Sequence, residues 1–230
     1  MKILYNDDYM KISARDEWTR GDMVLLSFTG IGHGMGGIDV QRPEFFGAGK
    51  SFGNIIFISD RKRSWGNSLD FGRIFEVLEP HIKQRRVYSI GNSMGGFLSI
   101  VASNFLPIHS SLSFVPQFSV DPRVVPFERR WKEHTQKIRD FVIPNATNFI
   151  NDETRYFIFS GGNGPDVNHA RLSPHRSNVF HYLFEDMGHN VAARLKEDGD
   201  LQGSIEACFR GEKITTKARY RLISPVLPTN

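Results

Sequence analysis

From about residue 20 to residue 210, short β-rich apolar runs alternate with segments of helical period. This alternation confines the chain to an α/β architecture, a mostly parallel sheet with helices on both faces. Residues 23–28 (MVLLSF) form a continuous apolar run ending in Thr29-Gly30, as a strand buried on both faces does. A second run, 54–59, carries Ile55, Ile56, Phe57 and Ile58. Phe71, Ile74, Phe75, Leu78 and Ile82 recur at helical spacing and predict a helix over about 68–83. Further strands are expected at 86–90, 111–115, 155–159 and 179–184. Residues 94–105 read as a mostly apolar helix, and 128–142 as an amphipathic one with Trp131, Thr135, Ile138 and Phe141 or Val142 on one stripe. Helical stretches follow from about 190 and about 201. Residues 2–5 and 9–13 flank Asn6-Asp7-Asp8 as an antiparallel hairpin at the sheet edge. Residues 213–230 form a tail without a usable pattern.

The 230 residues suit one α/β domain, 1–230, with a single core, and no linker or repeat divides them. A net charge of +4 is small, and the basic residues fall in short clusters, so nucleic acid is not an expected partner. The single cysteine, Cys208, excludes an internal disulfide framework and a four-cysteine zinc site. No segment reaches the ~18 apolar residues of a membrane span. The start, Met1 to Asp8, lacks the apolar stretch of a secretory signal, which makes the cytoplasm the default address.

The chemistry concentrates at Tyr88-Ser89-Ile90-Gly91-Asn92-Ser93-Met94-Gly95-Gly96-Phe97. Gly91, Ser93 and Gly95 form G-x-S-x-G between an expected strand and an expected apolar helix, the setting of a nucleophile elbow. A serine on so tight a turn needs glycine two residues to either side, because side chains there would collide with backbone. The helix behind Ser93 also aims N–H groups at developing negative charge. A tightly packed glycine-rich βα turn without chemistry is the plain alternative.

With this motif in this setting, the chain resembles the α/β-hydrolase superfamily of serine hydrolases over about 20–210. The phrases Phe57-Ile58-Ser59-Asp60 with Trp65, and Phe114-Val115-Pro116-Gln117, resemble a little-characterised bacterial subgroup sometimes linked with surface-polysaccharide genes. The resemblance implies the chain order nucleophile, acid, histidine, each after a strand. Of eight histidines, His189 in Met187-Gly188-His189 follows the last apolar strand and fits the base. Asp166, in the loop after 155–160, fits the acid that orients it. Asp121 after the preceding strand is the rival, Asp186 stands too close to His189 along the chain, and Asp166 could instead cap a helix.

An acyl transfer also needs oxyanion donors. Met94 N–H is one candidate. The second would come from the loop Thr29 to Gly37, with five glycines between 30 and 37, and Gly30 or Ile31 is the expected donor. No Gly-Lys-Ser/Thr follows, so the loop is not a phosphate-binding P-loop. Trp65 and Phe118 are candidate flat contacts for substrate, and Arg61, Arg63 or Arg123 candidate contacts for a carboxylate, phosphate or sugar hydroxyl. The alternative is that the arginines are solvated and Trp65 packs on the scaffold. Residues 116–154 have room for a small cap at most. Together these readings favour a serine esterase or related acyl hydrolase acting on a small-molecule ester or thioester, with no cofactor and no metal. A catalytically silent scaffold or accessory protein on the same fold, in polysaccharide biosynthesis for instance, is the alternative.

Overall fold

A computed structural model describes residues 1–16, 18–19, 21–32, 41–47 and 51–224. Among them, nine strands build one sheet in the order β1-β2-β4-β3-β5-β6-β7-β8-β9. The strands are β1 Lys2–Asn6, β2 Met10–Ala14, β3 Met23–Phe28, β4 Ile55–Asp60, β5 Arg86–Asn92, β6 Ile108–Phe114, β7 Arg155–Gly161, β8 Val179–Phe184 and β9 Tyr220–Ser224. Pairing is parallel from β4 through β3, β5, β6 and β7 to β8. The β1–β2 hairpin docks antiparallel on β4, as expected of the first residues.

Successive strand residues face opposite sides of the sheet, so Leu25 and Leu26 serve different cores. On one face Leu26, Phe28, Ile56 and Ile58 pack with Ile74 and Leu78 of α1 (Phe71–Ile82) and Phe97 and Leu98 of α2 (Met94–Val101). On the other, Leu25, Phe57, Ile90 and Phe114 meet Leu195 of α5 (Val191–Glu197) and Ile205 and Phe209 of α6 (Leu201–Arg210). Every residue of α2 is buried. Its one hydroxyl, Ser99 Oγ, is satisfied by Ser89 Oγ at 2.9 Å and Ser111 Oγ at 2.7 Å, which ties the helix to β5 and β6.

Two expectations change. The helix expected over 128–142 shrinks to α3, Lys132–Thr135. Trp131 before it takes φ 61, a left-handed conformation that no helix interior accepts, and Glu128 and Arg130 turn inward. Its apolar stripe still packs, with Trp131, Ile138 and Phe141 half-buried against the first core. The tail contains β9, which pairs antiparallel with β8. Its exposed Arg221 and Leu222 hid the strand signal.

In-register pairing levels the strand ends that matter. Asn92 of β5 stands beside Phe114 of β6, Phe114 beside Phe159 of β7, and Gly161 beside Phe184 of β8. The loops leaving these four strands therefore open on one edge of the sheet, where ligands of open parallel sheets bind.

Candidate active site

Ser93 occupies the turn between β5 and α2 with φ 56 and ψ −117, a conformation favoured only for glycine. The flanking glycines explain how the turn closes. A Cβ on Gly91 would run into the Gly95 carbonyl, and one on Gly95 into the Phe28 carbonyl at the end of β3. Ser93 is 6% exposed, and its carbonyl accepts the Phe97 N–H at 3.0 Å, so the serine caps the helix it precedes.

His189 reaches Ser93 from beyond β8, on a loop that lies tightly over Gly161. Its Nε2 stands 2.9 Å from Ser93 Oγ. Its Nδ1 stands 2.8 Å from Oδ1 of Asp166, the first residue of α4 (Asp166–Ala170). Three residues from the separate connections that follow β5, β7 and β8 thus form one hydrogen-bonded chain. Burial would push the Asp166 carboxyl up. The His189 hydrogen bond and the Arg130 guanidinium outweigh it and hold this carboxyl below the ordinary carboxylate value.

Four side chains around this chain had no functional assignment from the sequence. Arg130 NH1 and NH2 each donate to Asp166 Oδ1 at 3.2 Å, and NH2 also donates to Glu128 Oε2 at 2.6 Å. His169 Nε2 lies 2.8 Å from the same Glu128 oxygen. Gln117 donates through Nε2 to Glu128 Oε2 at 3.2 Å, and its Oε1 stands 3.2 Å from Ser93 Oγ. Burial acts against ionisation of Glu128, yet His169 and Arg130 hold its carboxyl far below the ordinary value. The one trace of this group in the sequence is Glu128 two residues from Arg130, close to the Pro126-Phe127 turn.

Met94 opens α2, so its N–H has no partner within the helix and adjoins the Ser93 turn. The other expected donors sit in the strand-end loop that crosses β5, where a Cβ on Gly30 would stand 3.0 Å from the Asn92 carbonyl. Gly30 N–H is already engaged, donating to Glu44 Oε1 at 3.1 Å. The carbonyls of Gly30 and Ile31 accept from Gln41 Nε2 at 3.1 Å and Arg63 Nε at 3.0 Å. A trans peptide sets C=O and N–H on opposite sides, so anchoring the Gly30 carbonyl on Gln41 turns the Ile31 N–H the other way. Burial pushes Glu44 up to about 7 despite the Gly30 hydrogen bond. Residues 33–40 of this glycine-rich loop lie outside the described residues.

Two of the substrate contacts expected from the sequence, Trp65 and Phe118, are corrected. Trp65 and Phe118 are both 0% exposed and belong to the core beneath α1 and α2, so neither offers a face to a ligand. Their size and apolarity, which suggested flat contacts, are what buried them. Arg61 reaches back to Asn6 Oδ1 at 2.7 Å across the hairpin edge. Arg123 grips Asp121, with NH2 2.6 Å from Oδ2. That hydrogen bond is the main cause holding the Asp121 carboxyl low. Asp121 is thus tied into its own turn, and Asp186 pairs with Arg219 at 2.9 Å. His181 is buried against Ser160, and Cys208 is buried in the second core. Among the described residues no three His, Cys, Asp or Glu side chains group as a metal site requires, and no helix is long and apolar enough to cross a membrane.

No family model matches the chain, and no curated protein matches it in sequence. Solved structures do match. The capsule O-acetyltransferase of Neisseria meningitidis serogroup A aligns at TM-score 0.61 and 12% identity, over 84% of this chain and 90% of that one. A putative esterase from Staphylococcus aureus aligns at 0.59 and 14%, over 92% and 83%. Est1E from Butyrivibrio proteoclasticus, solved with ferulic acid, aligns at 0.58 and 11%, over 91% and 100%. At such identities the likeness is one of fold, and the fold is that of the α/β-hydrolases.

Proposed function

We propose that this chain is a serine-dependent acyl-transfer enzyme that cleaves a carboxylic ester or thioester through an acyl-enzyme. One observation carries the reading, the continuous chain Ser93 Oγ, His189 Nε2, His189 Nδ1, Asp166 Oδ1 with links of 2.9 and 2.8 Å. In the first step Ser93 Oγ attacks the acyl carbonyl as His189 Nε2 takes its proton. Asp166 holds the imidazole and stabilises the imidazolium. Negative charge on the carbonyl oxygen meets the N–H groups of Met94 and Ile31, each such donor being worth about 3 kcal/mol. Gly30, bound to Glu44, gives up its candidacy in this arrangement. His189 then protonates the leaving group. In the second step it deprotonates water or another hydroxyl, which takes the acyl group from Ser93, and it returns that proton to the departing Ser93 Oγ. The segment 116–154 serves as a small cap that delivers Gln117, Glu128 and Arg130 to the site.

Turnover of small acetyl esters by the purified chain and its Ser93→Ala variant tests the proposal. The variant should lose at least about 10⁴-fold in kcat, as removal of a triad serine does. Turnover equal to the parent's in the variant would refute it. Arg61 and Arg123 are engaged by Asn6 and Asp121, so changing either to Ala should affect KM equally for anionic and neutral esters.

A further inference from the structure

Three of the side chains around the triad, Arg130, Glu128 and Gln117, close a ring with it. From Ser93 Oγ the ring runs through His189 to Asp166, then to Arg130, to Glu128, and through Gln117 back to Ser93 Oγ. Its centre is a divided guanidinium. Arg130 presents Nε and NH2 to Glu128, and NH1 and NH2 to the Asp166 oxygen that also faces His189 Nδ1, with NH1 itself 3.1 Å from that Nδ1. The Asp166 and Glu128 side chains are only 4% and 3% exposed. Two carboxylates so far from water need a cation, and a planar fork can hold both in fixed orientation where an ammonium would not.

We infer that Arg130 is a positioning residue for the proposed reaction: pinned by Glu128, it fixes the Asp166 carboxylate in the orientation that holds His189 on Ser93. The inference rests on the Ser93–His189–Asp166 reading. Charge balance shows why Glu128 belongs to the device. With His189 neutral, Asp166 and Glu128 carry two negative charges and Arg130 one positive. The proton that His189 takes from Ser93 then balances the second. Without Glu128, Arg130 would neutralise Asp166 by itself and oppose the imidazolium. Of the other ionisable neighbours, one sits on the ring itself and two are paired away from it. His169 is on Glu128 at 2.8 Å, Asp186 on Arg219 at 2.9 Å, and Glu185 within 3.5 Å of Arg221.

Arg130→Ala, assayed on a small neutral acetyl ester with and without added methylguanidinium, tests the inference. Displacing a catalytic group by a fraction of an ångström to an ångström costs about 100-fold, so kcat should fall by that order while KM stays unchanged. Methylguanidinium should restore part of kcat without moving KM. Glu128→Gln should also lose kcat, and methylguanidinium should not rescue it, because its cation is already present. A kcat for Arg130→Ala within about threefold of the parent would overturn the inference, as would a loss that tracks Tm and ignores methylguanidinium. If Arg130→Ala does not fold, Arg130→Lys, which keeps the charge without the fork, takes its place. A fall of about tenfold at unchanged KM supports the assignment, and parental kcat overturns it. Full turnover in Ser93→Ala would sink the triad reading itself. An inactive Ser93→Ala beside a parent-like Arg130→Ala would sink only the role of Arg130.

Discussion

Ser93→Gly should leave a protein that is inactive and more stable than Ser93→Ala. Both variants lose the hydroxyl, and with it the contacts at 2.9 Å to His189 and 3.2 Å to Gln117, so those losses cancel in the comparison. What differs is the backbone. At φ 56 and ψ −117 any Cβ is strained, at a cost of about 1–3 kcal/mol. Alanine keeps that strain and glycine removes it. Glycine loses about 0.5–1 kcal/mol more chain entropy on folding, so the net gain over alanine is about 1 kcal/mol. For a domain of this size that corresponds to a rise in Tm of about 2–4 °C. Paired calorimetric scans of the two variants at matched concentration measure it. Equal Tm values, or a lower one for Ser93→Gly, would refute the claim that this turn stores strain to expose a nucleophile.

Asp166→Asn should lower kcat on the order of 10⁴-fold, because the amide favours the wrong imidazole tautomer, whereas Asp121→Asn should keep most activity. Steady-state kinetics of the two variants decides, and the reverse result would move the acid to Asp121. Glu44 is raised by burial from 4.5 to about 7, so the folded chain holds this proton more tightly than the unfolded chain does. Its contribution to stability is therefore complete below about 4.5 and declines as pH rises towards 7. Glu44→Gln should flatten that decline, gaining up to about 3 kcal/mol on the parent between pH 5 and pH 8 in denaturant titrations. Trp65→Ala should cost about 3–5 kcal/mol, as a large buried side chain does, with KM unchanged in the folded fraction. A selective rise in KM would return Trp65 to the substrate site.

Much of the sheet was legible because its parallel strands are buried on both faces and read as unbroken apolar runs, as in 23–28 and 54–59. The edge strand β9 was not, since two of its five residues are exposed and its partner lies far back in sequence at β8. The elbow was legible because steric demand at Gly91 and Gly95 writes itself as a local pattern. His189 and Asp166 could be placed by their positions after strands. Arg130 and Glu128 could not. They hold their places through contacts with residues 36 and 41 positions away, and the surrounding composition resembles a solvated amphipathic helix. The same ambiguity hid Trp65 and Phe118, whose aromatic surface serves a core and a ligand site equally well in sequence. Gly30 illustrates a further limit, since an amide's availability depends on a side chain such as Glu44, fourteen residues away.

The central claim is that Ser93 carries the acyl group between donor and acceptor. Brief exposure of the protein to an activated acetyl ester, acid quench and peptide mass mapping tests it directly. One acetyl group should appear on the peptide containing Ser93 and nowhere else in stoichiometric amount. It should be absent from Ser93→Ala and strongly reduced in His189→Gln. Ester turnover with no acetyl on Ser93 under single-turnover conditions, or an equal yield on another residue, would contradict the account.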